Sequence, residues 1–435
     1  MKVATITPDF YDIYAGPKWC TPDKPGRVLI DSADSRFKVL GVFNSPLARL
    51  RCSEQGKPPV QYVSILRVAV GVCDRGEGSP YINLPEFSVS DDERRLGQLI
   101  VERRARSDFA DINGHDVRDR SDVVRPQHVS YGLVAISEDG RHFSRRTPDI
   151  SIVPAYTHEH HGMEDFRITT RQNRFPGTPY PDLHILTYVC PSPTHDVVTG
   201  MMVTRDFRDF QRVDANRPVD WENGHAYTPS GPFTPLLIPG KDVAPYAEPV
   251  CHPFKTDWYG VPEQVEAFEF RPPGMQHAAP SMRVKYTGSG IMDQEPISVE
   301  PGPGEYVGTG SAPVLINDGS RPMWLEVYHS VEKRYTAEGQ NAFVYRPAVR
   351  LSDRHSPHQS IAISAPFDIE GTNDWGQPEF PWKEHAFIPN VVYPIGCVVD
   401  DDTARLTVGV HDVWSAVAEF PLEKLVRHAY DTNRI

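Results

Sequence analysis

The feature that most constrains this chain is a loose recurrence. Five times along its 435 residues a polar residue opens a short strand-like run, and one or more further runs of apolar or alternating character follow. The first set holds Val42–Leu50, Tyr62–Val70 and Tyr131–Gly140, and the second Glu164–Thr169, Leu183–Val189 and Met201–Phe207. The third passes through Lys241–Ala244, Glu266–Arg271 and Met282–Tyr286, and the fourth through Gly308–Val314 and Trp324–His329. The fifth holds Ile388–Tyr393, Arg405–Asp412 and Ser415–Phe420. Short strands repeated in this way predict an all-β chain, and five copies predict a five-bladed β-propeller. The innermost strand of each blade then faces one central channel. Asn44, Asp165, Asp242, Ser311 and Asn390, each near the start of such a strand, are expected to converge on one polar well.

Two regions depart from the rhythm. Residues 1–37, rich in Pro, Asp and Lys, read as an irregular lead-in packed on a single catalytic domain that spans 38–435. Residues 76–127 read as an insertion in the first blade. Within it, Ser90 and Glu93 form a capping-box pattern ahead of Arg94–Arg104, which predicts a helix over 91–106. Such a helix would be a solvated surface element, a lid over the well or a homo-oligomer contact.

Composition removes whole classes of partner. A formal charge of −13 argues against nucleic acid or an anionic membrane, both of which demand a basic face. No run is apolar enough for a secretory signal or a membrane span, so a cytoplasmic protein is expected. Cys20, Cys52, Cys73, Cys190, Cys251 and Cys397 lie far apart without a Cys-x-x-Cys pair, which suits reduced, mostly buried thiols.

Against that acidic background, Glu164-Asp165-Phe166-Arg167-Ile168 stands out: two carboxylates and an arginine at the mouth of an apolar strand mark a candidate site. This stretch resembles the Glu-Asp-Pro-Arg-Ile of glycoside hydrolase family 130, the β-mannoside phosphorylases and related mannosidases. Lys241-Asp242-Val243-Ala244-Pro245-Tyr246-Ala247-Glu248 is similar to that family's Lys-Asp/Asn-x-Ala-Leu-Phe-Pro-Glu, and Phe270-Arg271-Pro272 to its His-Arg-Pro. Gly308-Thr309-Gly310-Ser311-Ala312-Pro313, Tyr328-His329-Ser330-Val331, Pro389-Asn390-Val391-Val392-Tyr393-Pro394 and Gly409-Val410-His411-Asp412 complete seven motifs in family order. Phe166, Phe270 and Pro245 depart from the pattern.

The resemblance implies a five-bladed propeller and an inverting phosphorylase. One carboxylic acid, Asp165, would protonate the leaving oxygen while inorganic phosphate attacks the anomeric carbon, releasing α-mannose 1-phosphate and a shorter sugar. It implies no cofactor beyond phosphate as co-substrate, and no metal. By position it assigns phosphate to Arg67, Lys241 and Arg271, whose charged donors suit phosphate oxygens. Sugar contacts fall to Asn44, Ser45, Glu164, Arg167, Asp242, Tyr328, His329, Asn390 and Asp412. Loss of a histidine at Phe270 removes one phosphate donor. A β-mannosidase that activates water through Glu248 or Asp412 is therefore the alternative within the enzyme class, and a non-catalytic carbohydrate-binding propeller the alternative outside it. The residues alone allow blander readings: Glu164 and Asp165 as a structural pair for Arg167, and the three cations as ordinary strand residues reaching solvent. His158-Glu159-His160-His161 has His-x-His spacing but no third ligand at a recognisable distance, and is expected to be a flexible loop beside Asp165 that shapes the acceptor subsite.

Overall fold

The computed structural model describes most of residues 36–433, together with short strands between Ala4 and Pro25. The longest internal stretches outside the described residues are 26–35, 214–234, 248–264, 272–280 and 370–390. Side chains of the third strand set, Ala244 and Ala247 apart, also lie outside them.

In chain order, β1 is Asp9–Asp12. The first sheet contains β2 (Phe37–Phe43), β3 (Leu47–Arg51), β4 (Val60–Val72) and, after a hairpin of β5 (Tyr81–Ser88) with β6 (Gln98–Ala105), β7 (Val129–Ser137). The second is built on β8 (Glu164–Arg171), β9 (Leu183–Cys190) and β10 (Val198–Thr204). The third comprises β11 (Lys241–Pro245), β12 (Val265–Arg271), β13 (Ser281–Tyr286) and β14 (Ile291–Ile297). The fourth holds β15 (Glu305–Gly308), β16 (Val314–Asn317), β17 (Pro322–Tyr335), β18 (Asn341–Asp353) and β19 (Ser360–Ile363). The fifth holds β20 (Val392–Asp400), β21 (Thr403–Val410) and β22 (Trp414–Pro421), followed by α1 (Leu422–Asp431).

The five are antiparallel sheets of four to six strands. Those whose side chains are described pack face to face in a propeller-like arrangement, and β4 shows why. Its residues are buried on both faces from Tyr62 to Val72. Val63 and Ile65 pack with Ile168, Leu186 and Met202 of the second sheet. Leu66, Val68 and Val70 instead join Val398 and Val417 of the fifth. Period-two alternation thus sends one apolar row to each neighbouring sheet. The fifth sheet repeats the device against the fourth, where Leu406, Val408 and Val410 meet Leu325, Val349 and Leu351. The leading strands lie next to one another: β3 touches β8 and β20, β8 touches β11, and β20 touches β16.

Several expectations are corrected here. Residues 98–105 are not helical. They form β6, paired along its whole length with β5, while Leu99 and Val101 on one face pack against the core of the first sheet. A local capping pattern loses to that pairing because the alternate apolar residues have a surface to cover. Further along the insertion, Phe109–Asp111, Asp116–Asp119 and Val124–Pro126 form a three-stranded sheet. The lead-in is not wholly irregular either: β1 pairs with β22, and Ala4–Ile6 runs parallel to Phe367–Ile369. Helix α1 has no counterpart in the strand pattern. It buries Leu422, Leu425, His428 and Ala429 on one face, against the cluster of the fourth and fifth sheets.

Candidate active site

Asp165 sits in a bulge of β8. The register of β8 with β9 slips between Glu164 and Arg167, and the Asp165 backbone is left-handed, φ 44°. Asn44, where the chain breaks between β2 and β3, has φ 50°, and Asp412, in the turn between β21 and β22, also has φ 50°. Left-handed backbone is costly for most residues and least so for Asn and Asp with their short polar side chains. Asn173, Phe207 and Asp401 share this backbone conformation, so what distinguishes the three positions is where their side chains meet. β11 carries a similar slip between Lys241 and Ala244, which places Asp242 at the bulge of the third sheet.

These positions meet. Asn44 Nδ2 donates to Asp165 Oδ1 at 2.8 Å across 121 residues of sequence. Arg67 of β4 donates to the same oxygen at 2.6 Å and to Glu164 Oε1 at 2.6 Å. Its Nε donates to Ser130 Oγ at 3.1 Å, and its guanidinium lies over the Phe43 ring, 4.5 Å from the centroid. His128 Nε2 stands 3.5 Å from Glu164 Oε1. Burial works against the charge of Arg67, but Glu164, Asp165 and Asp412 outweigh it and hold the guanidinium above its ordinary value. Burial pushes the Asp412 carboxyl up to about 7; Arg67 pulls it back, and the charges of Asp165 and Glu164 add to the rise.

The approach to Asp165 is fixed by glycine and by a buried ion pair. Gly162 has φ 105° and lies so close to the Ser130 backbone that any side chain there would collide with it. Met163 N donates to Ser130 O at 2.8 Å, which lays the segment along β7. One turn earlier, Glu159 is fully buried and accepts hydrogen bonds from Arg212, Tyr188 Oη and the backbone N–H groups of Ala155 and Tyr156. Burial opposes its charge, yet Arg212 prevails and holds the carboxyl below the usual range. The segment read as a flexible loop is therefore tied down. His158 lies against Glu159 and stacks on Tyr156, whereas the His160 ring packs on His161. Among the described residues no cluster of three or more His, Cys, Asp or Glu is placed to hold a metal ion.

Of the residues read from sequence as site groups, the structure gathers Asn44, Arg67, Glu164, Asp165 and Asp412. Others it removes from the well. Arg167 is 1% exposed, and its guanidinium donates to the carbonyls of Gly310, Thr309 and Asp165 and to Tyr393 Oη. It ties the second sheet to the fourth and fifth and has no surface left for a sugar. Ser45 is fully buried against Ser415. Tyr328 lies in a core cluster with Val307, Ala348 and Ile363, and His329 is buried between Tyr345 and Tyr393. Arg67 is corrected in a different sense: it is in the well, but committed to carboxylates. Lys241 and Arg271 are direct partners in the β11–β12 register; their side chains and that of Asp242, like the whole of Asn390 and Glu248, fall outside the described residues. Phe166, at the family's proline position, is buried against Tyr188.

Sequence reasoning missed His128, Ser130 and Arg212. None sits in a recognisable motif; the only available signal was that Val129–Ser137 had to pair with β4, which carries Arg67. A cavity of about 670 Å³ lies farther along the leading strands, lined by Arg49, Thr169, Arg171, Val314 and Val398 among others. Asp165 does not line it.

No family model matches the chain. A 1,2-β-oligomannan phosphorylase from Thermoanaerobacter sp. (strain X514) is 33% identical over 112 residues, which is 26% of this chain and 31% of that protein. The chain thus matches under a third of the length of this curated relative. Among solved structures, the β-1,2-mannobiose phosphorylase of Listeria innocua superposes with a TM-score of 0.64 and 18% identity, covering 97% of this chain and 99% of that one. A structure described as showing that the GH130 family of mannoside phosphorylases contains hydrolases targeting β-1,2 mannosidic linkages superposes at 0.54 with 12% identity, over 97% of each chain. The resemblance to glycoside hydrolase family 130 therefore extends over about a quarter of the sequence and nearly the whole fold.

Proposed function

We propose that this chain is a distant member of glycoside hydrolase family 130, its five sheets the blades of a five-bladed propeller, and that it is an inverting phosphorylase of β-mannosides. The observation that carries the reading is the convergence of Asn44 and Arg67 on Asp165, with Glu164 on the same arginine and Asp412 in electrostatic range; Asn44, Asp165 and Asp412 come from three sheets and share a left-handed backbone. Asp165 serves as the acid that protonates the leaving oxygen, and Asn44 and Arg67 orient it. Inversion through external phosphate needs one such acid and a cationic cradle. Lys241 and Arg271, opposite one another in the β11–β12 register, supply the cradle, and the product is α-mannose 1-phosphate beside a shorter sugar. The phosphorylase named above, 33% identical over its matched stretch, supports the substrate class.

Incubation with β-1,2-mannobiose, with and without inorganic phosphate, tests this. Mannose 1-phosphate formed only with phosphate is the expected result. Equal release of free mannose in both arms would establish the hydrolase instead. One observation favours that second reading: Arg67 is bound to Glu164 and Asp165 and is thereby withdrawn from phosphate.

A further inference from the structure

Gly409 sits in β21, a central strand, opposite Tyr393 of β20 on one side and Ser415 of β22 on the other. Its backbone is not left-handed, so the conformation there is open to any residue and the glycine provides only room. Asn44 fills that room. A Cβ at position 409 would lie 1.8 Å from Asn44 Oδ1, 3.0 Å from its Cγ and 3.1 Å from its backbone N, and the first of these is an outright collision. Glycine weakens the interior of a strand and marks a place where another group comes close. Here that group is the amide whose Nδ2 donates to Asp165 Oδ1 at 2.8 Å. The buried Oδ1 of Asn44 accepts no hydrogen bond among the described residues and takes the space that a side chain at 409 would fill. Turning the amide over would set its oxygen against the Asp165 carboxylate, so the seat leaves Nδ2 as the end that is donated.

We propose that Gly409 is a positioning residue of the well: by carrying no side chain it seats Asn44 so that Asn44 and Arg67 together occupy Oδ1 of Asp165, which leaves Oδ2 as the oxygen that carries and delivers the acid proton. The inference rests on the functional reading given above and deepens it, giving the two oxygens of the acid separate duties. Arg67 Nη1 reaches Oδ1 at 2.6 Å beside Asn44 Nδ2, and among the described residues both side-chain donors to Asp165 end on that oxygen. An oxygen that already accepts two N–H groups, one of them charged, is the poorer place for a proton. In the acid step the proton passes from Oδ2 to the leaving oxygen, the glycosidic C–O bond breaks as phosphate forms its bond to the anomeric carbon, and Asp165 is left ionised. The new charge spreads onto Oδ1, where two fixed donors already point, so both bonds strengthen as it develops. Gly409 therefore acts on turnover, and only through Asn44.

A double-mutant cycle between Gly409→Ala and Asn44→Gly tests this, because glycine at 44 keeps the left-handed backbone and removes only the amide. The assay uses β-1,2-mannobiose with inorganic phosphate. Each single variant is expected to lower kcat about 10–100-fold with KM within about threefold of the parent. In the Asn44→Gly background, Gly409→Ala should cost less than about threefold, since the group it displaces has gone. Losses that multiply in the double variant, or a Gly409→Ala effect confined to KM, overturn the proposal. Should Gly409→Ala fail to fold, adding Asn44→Gly is expected to restore a urea transition, and a double variant that stays unfolded overturns it as well. A crystal structure of Gly409→Ala needs no turnover to be informative. Asn44 Nδ2 is expected beyond about 3.5 Å from Asp165 Oδ1, and a bond left in place overturns the proposal. In Asp165→Asn with β-1,2-mannobiose bound, a sugar oxygen is expected beside the atom in the Oδ2 position; one beside the Oδ1 position overturns the division of duties. If the wild-type protein processes no β-mannoside while Gly409→Ala displaces Asn44 as described, the functional reading alone has failed.

Discussion

Two arginine–carboxylate clusters lie only a few residues apart in this molecule and are built on opposite principles. Around Glu159 a single carboxylate receives Nε and Nη2 of Arg212, a tyrosine hydroxyl and two backbone N–H groups. Around Asp165 three carboxylates compete for Arg67. The first cluster is satisfied and fully buried, so its charges neutralise one another and can only hold structure. The second is left with excess negative charge, partly open side chains and left-handed backbone, which is the condition under which a proton can be gained or lost near neutral pH. Local charge balance, more than the presence of charged residues, separates the two clusters.

The comparison can be broken by removing the central group of each cluster. Asp165→Asn is expected to lower kcat about 10²–10⁴-fold while leaving the denaturation midpoint close to that of the parent, as activity assays and urea titration would show. Glu159→Ala should do the reverse, costing about 3–5 kcal/mol because the buried Arg212 loses its carboxylate, with any activity loss following the unfolded fraction. The same residue gives a signed pH test. Its folded carboxyl is held below the ordinary range, so its contribution is complete at neutral pH and disappears as pH falls through that range. Glu159→Gln should therefore show a shallower loss of stability between about pH 5 and pH 3 than the parent. Gly162→Ala joins the two clusters. It strains the segment between them and should cost about 1–3 kcal/mol, together with a drop in kcat that Ser130→Ala shares only in part. At the small end, Glu423→Ala removes an exposed helical pair with Arg427 and should change stability by less than about 0.5 kcal/mol. A larger effect there would mean that balanced pairs stabilise this fold wherever they lie.

Much of this organisation was legible in the chain. The strands were readable because each carries a long apolar or alternating run, and the well was readable because a polar residue at the head of a leading strand has no apolar partner to bury against. Arg167 was misread because guanidinium donors suit backbone carbonyls as well as sugar hydroxyls, and only the approach of Thr309 and Gly310 decides between them. The hairpin residues 98–105 were misread because a capping pattern is local whereas the partner strand β5 is not. His128 was invisible for the same reason: its relation to Glu164 exists only after β7 has paired with β4.

The pairing of β1 with β22, Asp9 opposite Glu419, has a consequence for how the molecule comes into being. β1 is made about 400 residues before its partner, so this pairing is a long-range one and a slow, high-contact-order step. Until it forms, β1, and β22 once made, offer unpaired backbone to any neighbouring strand. A newly made copy held short of that pairing would therefore be the form most prone to trade strands with its twin.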